Sequence, residues 1–283
     1  MKIVVKLAGA LLENESTVRS IASQIAELAS RHEMLVIHGG GRIFTATLAK
    51  MGVESRFFAG LRITDQETRD AAVMVFAGLL NKRISAAISA AGRPAAGICA
   101  ADALCFQAER MTLDGAEADL GYVGYITGVN VAFLESLWRE GIVPVAACLG
   151  IGADGQLFNV NADHMAAACA EFVGADGLIY LTDVAGVLDG GSVVPELHLD
   201  DVEEMIRTHR VTGGMVLKLE ACRRAMEGGV AKVSIVGGEG PGALLAAMDG
   251  AACGTRVLND AADAAEPPER IEAEARFAAG GVA

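Results

Sequence analysis

What this chain can fold into is narrowed most by its first fifty residues. Lys2–Leu7 is an apolar run of strand length, and from Glu15 to His32 the residues Val18, Ile21, Ala22, Ile25, Leu28 and Ala29 recur at helical spacing. Met34–Ile37 reads as a second buried strand. His38-Gly39-Gly40-Gly41 then turns the chain, and another helix is expected from Arg42 to Met51, stopped by Gly52. Strand, helix, strand, glycine turn, helix is a βαβ unit, with a right-handed crossover.

The alternation continues with a long helix over Gln66–Ala91, a helix over Val131–Glu140 and a strand over Ile142–Cys148. Asp154-Gly155 marks a hairpin. A helix over Asp163–Val173, a strand over Gly177–Thr182, a helix over Met215–Glu227 and strands over Lys232–Gly237 and Thr255–Leu258 complete the pattern. The expected class is α/β: a three-layer αβα sandwich with a mainly parallel central sheet, two lobes and inserted β-hairpins. Residues 1–173 form the expected N-terminal lobe and 174–258 the C-terminal lobe. Residues 259–283, mostly Ala, Glu, Asp and Pro, read as an acidic, mobile tail.

Composition removes several function classes. With 52% hydrophobic and 21% charged residues, the 283-residue chain is neither disordered nor a coiled coil. The formal net charge of −13 and the lack of a Lys/Arg cluster argue against a nucleic-acid partner. Charge-free stretches such as Gly141–Ala153 fall short of the roughly 20 apolar residues of a membrane span. The apolar start is too short for a signal-peptide core, so a cytoplasmic protein is expected. Six scattered cysteines with no CxxC pair predict neither a zinc site nor a disulfide framework.

Three familiar motifs fail. No lysine follows a glycine, which excludes an ordinary P-loop. Gly150-Ile151-Gly152-Ala153-Asp154-Gly155 matches a dinucleotide fingerprint, but Gln156–Val160 continues as a strand where that fingerprint must open a helix. His38-Gly39-Gly40-Gly41 is like an esterase oxyanion loop, yet no serine sits in a GxSxG elbow. His38 itself reads as a packed strand-end residue.

Six segments remain, in a telling order: Lys6-Leu7-Ala8-Gly9, Gly39-Gly40-Gly41, Gly60-Leu61-Arg62, Asn159-Val160-Asn161-Ala162-Asp163, Thr182-Asp183-Val184-Ala185-Gly186-Val187 and Gly213-Gly214-Met215-Val216-Leu217-Lys218. Together they resemble the amino acid kinase family, from Lys2 to about Leu258, and within it most closely the members acting on N-acetyl-L-glutamate in arginine biosynthesis. One departure is visible: the family's first strand usually ends in Lys-x-Gly-Gly, and Ala8 stands here for the first glycine.

The resemblance implies transfer of the γ-phosphoryl of ATP to a side-chain carboxylate, giving an acyl phosphate. A carboxylate, with a reference pKa of about 4, is already ionised at neutral pH and needs no general base. Charge builds on the transferred group and the leaving oxygen, so cations and oriented amides should carry the catalysis. The resemblance assigns the catalytic roles to Lys6 and Lys218, with Asp163 holding both lysines and Gly9 offering an amide. Taken alone, Asp163 could equally cap the helix that it begins. Gly40 and Gly41 would offer amides to the phosphoryl group and the acceptor. Arg62 would grip the acceptor's α-carboxylate, Asn159 would contact its N-acetyl amino acid portion, and Asn161 would support that loop. Asp183, Val184, Ala185, Gly186, Val187 and Leu188 match the loop beside the base and ribose. Arg210, Val211 and Thr212 match the second nucleotide segment. Mg2+ should travel on the ATP phosphates, so no protein metal ligand is expected.

Two rival functions fit the same segments. Carrier-protein-linked aminoadipate or glutamate kinases share the fold, and the acidic balance of this chain speaks against their basic groove. A catalytically silent amino-acid sensor should have lost a lysine or Asp163, and all three are present. The resemblance further implies acceptor binding and dimerisation in the first lobe and ATP binding in the second. A homodimer through the apolar helix Ala71–Leu80 is expected. The arginine-inhibited relatives carry a helix ahead of the first strand; with Lys2–Leu7 beginning at once, indifference to free arginine is expected.

Overall fold

The computed structural model describes residues 1–112, 119–251 and 253–259. The expected acidic tail, apart from Asn259, lies outside the described residues.

The N-terminal βαβ unit is present as read. β1 (Lys2–Leu7) and β2 (Glu33–His38) pair in parallel, Lys6 beside Ile37, across the crossover helix α1 (Glu15–Leu28). Asn14 starts α1 by accepting the amides of Ser16 and Thr17. After β2 come α2 (Gly41–Lys50) and a two-residue hairpin, β3 (Phe57–Phe58) with β4 (Leu61–Arg62). Ala59 and Gly60 turn this hairpin at φ of 48° and 77°, both left-handed, as a tight primed turn requires.

The long helix runs over Gln66–Ala90 but is not uniform. α3 (Gln66–Ala72) and α4 (Asn81–Ala90) flank a π-helical stretch, Val73–Leu80. By length and composition this helix could cross a membrane, but half of its most apolar window is buried inside the fold. Ala71, Ala72, Val75, Phe76, Leu80, Ile84 and Ile88 face the core, so it is a core helix here. The π stretch delivers Phe76 and Leu80 to the glycine turn after β2, where a Cβ on Gly40 would lie 2.1 Å from Leu80.

Next come β5 (Ala95–Ile98), β6 (Phe106–Arg110), β7 (Val123–Val129), α5 (Val131–Arg139), β8 (Val143–Ala147), β9 (Leu149–Ile151) and β10 (Leu157–Val160). Strands β6, β7, β9 and β10 close into a small barrel. β9 and β10 are antiparallel around Asp154-Gly155, so the GxGxxG stretch is a hairpin, as its strand-like continuation predicts. The second half adds α6 (Ala162–Val173), β11 (Gly177–Thr182), β12 (Leu188–Asp189), β13 (Ser192–Val193), β14 (Glu196–His198), α7 (Leu199–Arg207), α8 (Gly214–Glu227), β15 (Val233–Gly237), α9 (Ala243–Met248) and β16 (Thr255–Leu258).

The central sheet has eight strands in the order β14-β16-β15-β11-β1-β2-β8-β5, parallel except where β16 meets β15. α1, α4 and α9 pack together, and α6 packs on α8 and the middle strands, giving helices on both sides. Gln24 of α1 accepts the Leu244 amide at 2.8 Å and so caps α9 from inside the core. From β1 the chain moves first to β2, β8 and β5, and later to β11 and β15 on the opposite side. Ligands in open parallel sheets sit at such a switch, beyond the carboxyl ends of the strands.

Candidate active site

At that switch a cleft of about 210 Å³ opens to solvent. Lys6, Gly9, Gly40, Gly41, Arg62, Asn159, Asn161 and Asp163 all line it. Eight residues singled out from four separate stretches of sequence thus meet in one place.

The centre is a buried ion trio. Lys6 Nζ lies 2.7 Å and Lys218 Nζ 2.9 Å from the same oxygen, Oδ1 of Asp163. Lys6 points to the α6 face because it sits at the end of β1, level with Tyr180 on β11. Lys218 reaches in from the second turn of α8 and lies over the Tyr180 ring at 5.0 Å. Tyr180 Oη in turn donates to the Asp163 carbonyl at 3.2 Å. Burial pushes the Asp163 pKa up, but the two adjacent ammonium groups outweigh it and hold the carboxyl well below the usual range. Burial lowers the pKa of Lys6 and Asp163 opposes that fall, while Lys218 adds to it. Two cations against one carboxylate leave the trio net positive, and it faces the cleft.

The capping alternative for Asp163 does not hold. α6 begins one residue before the expected Asp163, at Ala162, and Asn161 is its cap, accepting the amides of Asp163 and His164 at 2.9 and 3.1 Å. The Asp163 side chain is left for the lysines. Asn161 thus holds the turn that enters α6.

The glycines divide by steric need. Ala8 sits at φ −69°, ψ 143°, ordinary extended backbone, so its departure from the usual glycine costs no strain. Gly9 has no such latitude: a Cβ there would lie 2.9 Å from both Gly40 Cα and Gly41 N. The turns after β1 and β2 touch at Gly9. His38 below them is fully buried, with its pKa lowered to about 4 by burial, so it is neutral at pH 7. Its Nδ1 lies 3.0 Å from the Gly39 carbonyl and its Nε2 3.2 Å from Asn81 Nδ2, which also donates to the Val145 carbonyl. These contacts suit a neutral ring donating from Nδ1 and accepting at Nε2. The histidine braces the glycine turn.

Arg62 stands on the other wall. Its guanidinium lies between the rings of Phe44 and Phe57, at 4.8 and 4.5 Å, and donates to Ser55 Oγ and, at 2.7 Å, to Thr45 Oγ1. A cation held between two rings is fixed in direction, with N–H donors still to spare. Asn159 Nδ2 donates to Thr64 Oγ1 at 3.0 Å, and that hydroxyl donates to the Arg62 carbonyl. Cys148 also lines the cleft, but burial pushes its thiol up to about 12, so it is no thiolate nucleophile.

The two segments matched to the nucleotide do not line this cleft. Asp183 follows β11 and accepts from Arg42 at 2.6 Å. Gly186 and Val187 pack on β16, where Thr255 Oγ1 receives the Val187 amide at 2.8 Å. Val187 and Val211 are buried, whereas Leu188 and Thr212 are exposed. Arg210 Nε donates to Asp189 at 3.1 Å, tying the segments together. Among the described residues, no group of three or more His, Cys, Asp or Glu converges as a metal site would require.

Sequence reasoning missed Phe44, Phe57, Phe76, Thr64 and Thr255. Phe44 falls inside the expected helix Arg42–Met51, and nothing local announces any of the five. The arrangement can stabilise negative charge at the trio and glycine turns, and hold a second anion at Arg62.

Comparison with known proteins places this geometry. The model of the amino acid kinase family matches residues 1–237. An acetylglutamate kinase of Koribacter versatilis (strain Ellin345) is 48% identical over 239 residues, covering 83% of this chain and 90% of the relative. Among solved structures, N-acetylglutamate synthase from Neisseria gonorrhoeae, complexed with coenzyme A and N-acetyl-glutamate, superposes with a TM-score of 0.80 at 25% identity. That match covers 90% of this chain but 59% of the synthase. Carbamate kinase from Giardia lamblia bound to AMP-PNP superposes at 0.65 with 15% identity, over 92% of this chain and 98% of the other, a likeness of fold.

Proposed function

The chain belongs to the amino acid kinase family, and from that premise we infer that it phosphorylates the side-chain carboxylate of N-acetyl-L-glutamate with ATP. The product is the acyl phosphate, the 5-phosphate of the arginine pathway. One observation carries the reading: Lys6 and Asp163, joined to the buried Lys218, line the same cleft as an aromatic-clamped Arg62.

The acceptor dianion needs two anchors, and the cleft has two. Arg62 takes the α-carboxylate with its remaining N–H donors. Asn159, oriented by Thr64, meets the N-acetyl amino acid portion, while Asn161 shapes the turn beside it. The side-chain carboxylate then points to the trio, already ionised. Lys6, Lys218 and the amides of Gly9, Gly40 and Gly41 stabilise charge on the transferring phosphoryl group. Asp163 fixes the lysines so that neither must reorganise during transfer. No proton moves in this scheme, which suits a buried neutral His38 held between the Gly39 carbonyl and the Asn81 side chain. Asp183–Leu188 and Arg210–Thr212 flank the base and ribose. Mg2+ would travel on the ATP phosphates, neutralising part of their charge.

On this reading residues 1–173 bind the acceptor and 174–258 the nucleotide. The same reading includes a homodimer through Ala71–Leu80, and Met74 and Leu79, exposed on the π-helical stretch, are the apolar side chains it would bury. A cytoplasmic location accords with the pathway. A coupled ADP-release assay with N-acetyl-L-glutamate, free L-glutamate and a carrier-bound carboxylate tests the reading. ADP release only with the first is expected. Turnover of the carrier-bound substrate alone would favour the carrier-linked kinases, and ATP binding without turnover a sensor.

A further inference from the structure

The cation that follows the glycine turn after β2 has no role in the account so far. Arg42 opens α2, directly after Gly40 and Gly41. Its Nε lies 3.3 Å from Glu13 Oε1 and its Nη2 2.6 Å from Asp183 Oδ2. Glu13 ends the short helix after β1, and Asp183 starts the loop after β11. The guanidinium thus bridges the ends of the three adjacent strands β11, β1 and β2. It sits between the glycine turns assigned to the phosphoryl group and the loop assigned to the ribose.

We propose that Arg42 is a further phosphate-binding residue, which exchanges Glu13 and Asp183 for phosphate oxygens of the nucleotide when ATP binds. This rests on the kinase reading above. Charge supports it: the trio is net positive by a single charge, far less than the nucleotide phosphates and the acceptor carboxylate bring. Exposure supports it too. The Arg42 side chain is 62% exposed and its partners 41% and 39%, so releasing these carboxylates costs little. A phosphate accepts a guanidinium through two parallel bonds, the geometry that these two carboxylates now satisfy separately.

Calorimetric titration with MgADP and with adenosine separates phosphate binding from base binding, in the wild type, Arg42→Ala and Glu13→Gln. Arg42→Ala should weaken MgADP about tenfold, the scale of one charge-assisted bond, and leave adenosine unchanged. Glu13→Gln frees the guanidinium from one competitor, so it should tighten MgADP by twofold or more. A purely structural brace predicts the opposite sign, with Glu13→Gln weakening both ligands. MgADP binding unaltered by Arg42→Ala, equal loss of adenosine, or weaker MgADP binding in Glu13→Gln would each overturn the proposal. Wild-type protein that binds no MgADP would instead overturn the kinase reading itself.

Discussion

The sharpest consequence of the buried trio is a change of sign. Lys6 and Lys218 both contact one oxygen of Asp163, and all three side chains are almost fully withdrawn from solvent. Lys218→Met in the native protein removes a charge-assisted bond and leaves the Lys6–Asp163 pair intact, so it should destabilise by about 1–3 kcal/mol. Asp163→Asn keeps the shape but leaves two buried ammonium groups facing each other. Like charges about 5 Å apart repel by about 3 kcal/mol at an effective dielectric of about 20. With the orphaned burial, the loss should reach about 3–5 kcal/mol. In the Asp163→Asn background Lys218→Met should therefore stabilise, by about 1–2 kcal/mol after partial relaxation. Urea denaturation of the four proteins at pH 7.5 measures the cycle. Acid titration adds a second readout. The Asp163 pKa is lowered in the folded state, so its contribution is full above the ordinary carboxylate pKa and lost as pH falls below it. Asp163→Asn should lack that part of the acid limb. Lys218→Met destabilising equally in both backgrounds would refute the reasoning.

Other outcomes follow from the same geometry. Lys6→Ala should lower kcat by roughly 100-fold or more while ADP affinity, by calorimetry, changes far less, because charge on the transferring group peaks in the transition state. Arg62→Lys keeps the charge but loses the fork between Phe44 and Phe57, so the KM for N-acetyl-L-glutamate should rise about tenfold with the KM for ATP little changed. Gly9→Ala forces a Cβ against the backbone of Gly40 and Gly41 and should cut kcat sharply, whereas Ala8→Gly should leave it nearly unchanged; steady-state rates decide both. Met74→Glu with Leu79→Glu should convert a dimer to a monomer by light scattering, and a dimer that survives both charges would place the interface elsewhere.

Sequence and structure agree where the signal is local. The βαβ unit rests on periodicity within single segments, and the Asp154-Gly155 turn carries its own hairpin chemistry. Lys6, Gly9, Gly40, Asn159 and Asp163 were singled out through the family resemblance, which short motifs at strand ends carry. The rest depends on distant partners. The small barrel joins short strands whose register is set by one another, and a bulge between Gln107 and Ala108 shifts the pairing of β6 on β7. The Phe57–Arg62 hairpin turns on Ala59, a residue that gives no left-handed signal. Thr64 and Thr255 meet Asn159 and Val187 far along the chain, and Phe44 reaches Arg62 from α2, so no spacing betrays them. The cap of α6 shifted by two residues because Asn161 satisfies the first amides and releases Asp163 for the lysines.

The central claim is that a carboxylate attacks phosphorus directly, without a proton relay, to give an acyl phosphate. Hydroxylamine traps acyl phosphates as hydroxamates and leaves ATP and phosphate esters alone. Incubated with MgATP, N-acetyl-L-glutamate and hydroxylamine, the protein should release ADP and hydroxamate one for one, and neither product without the acceptor. ADP formed with no hydroxamate would contradict the account.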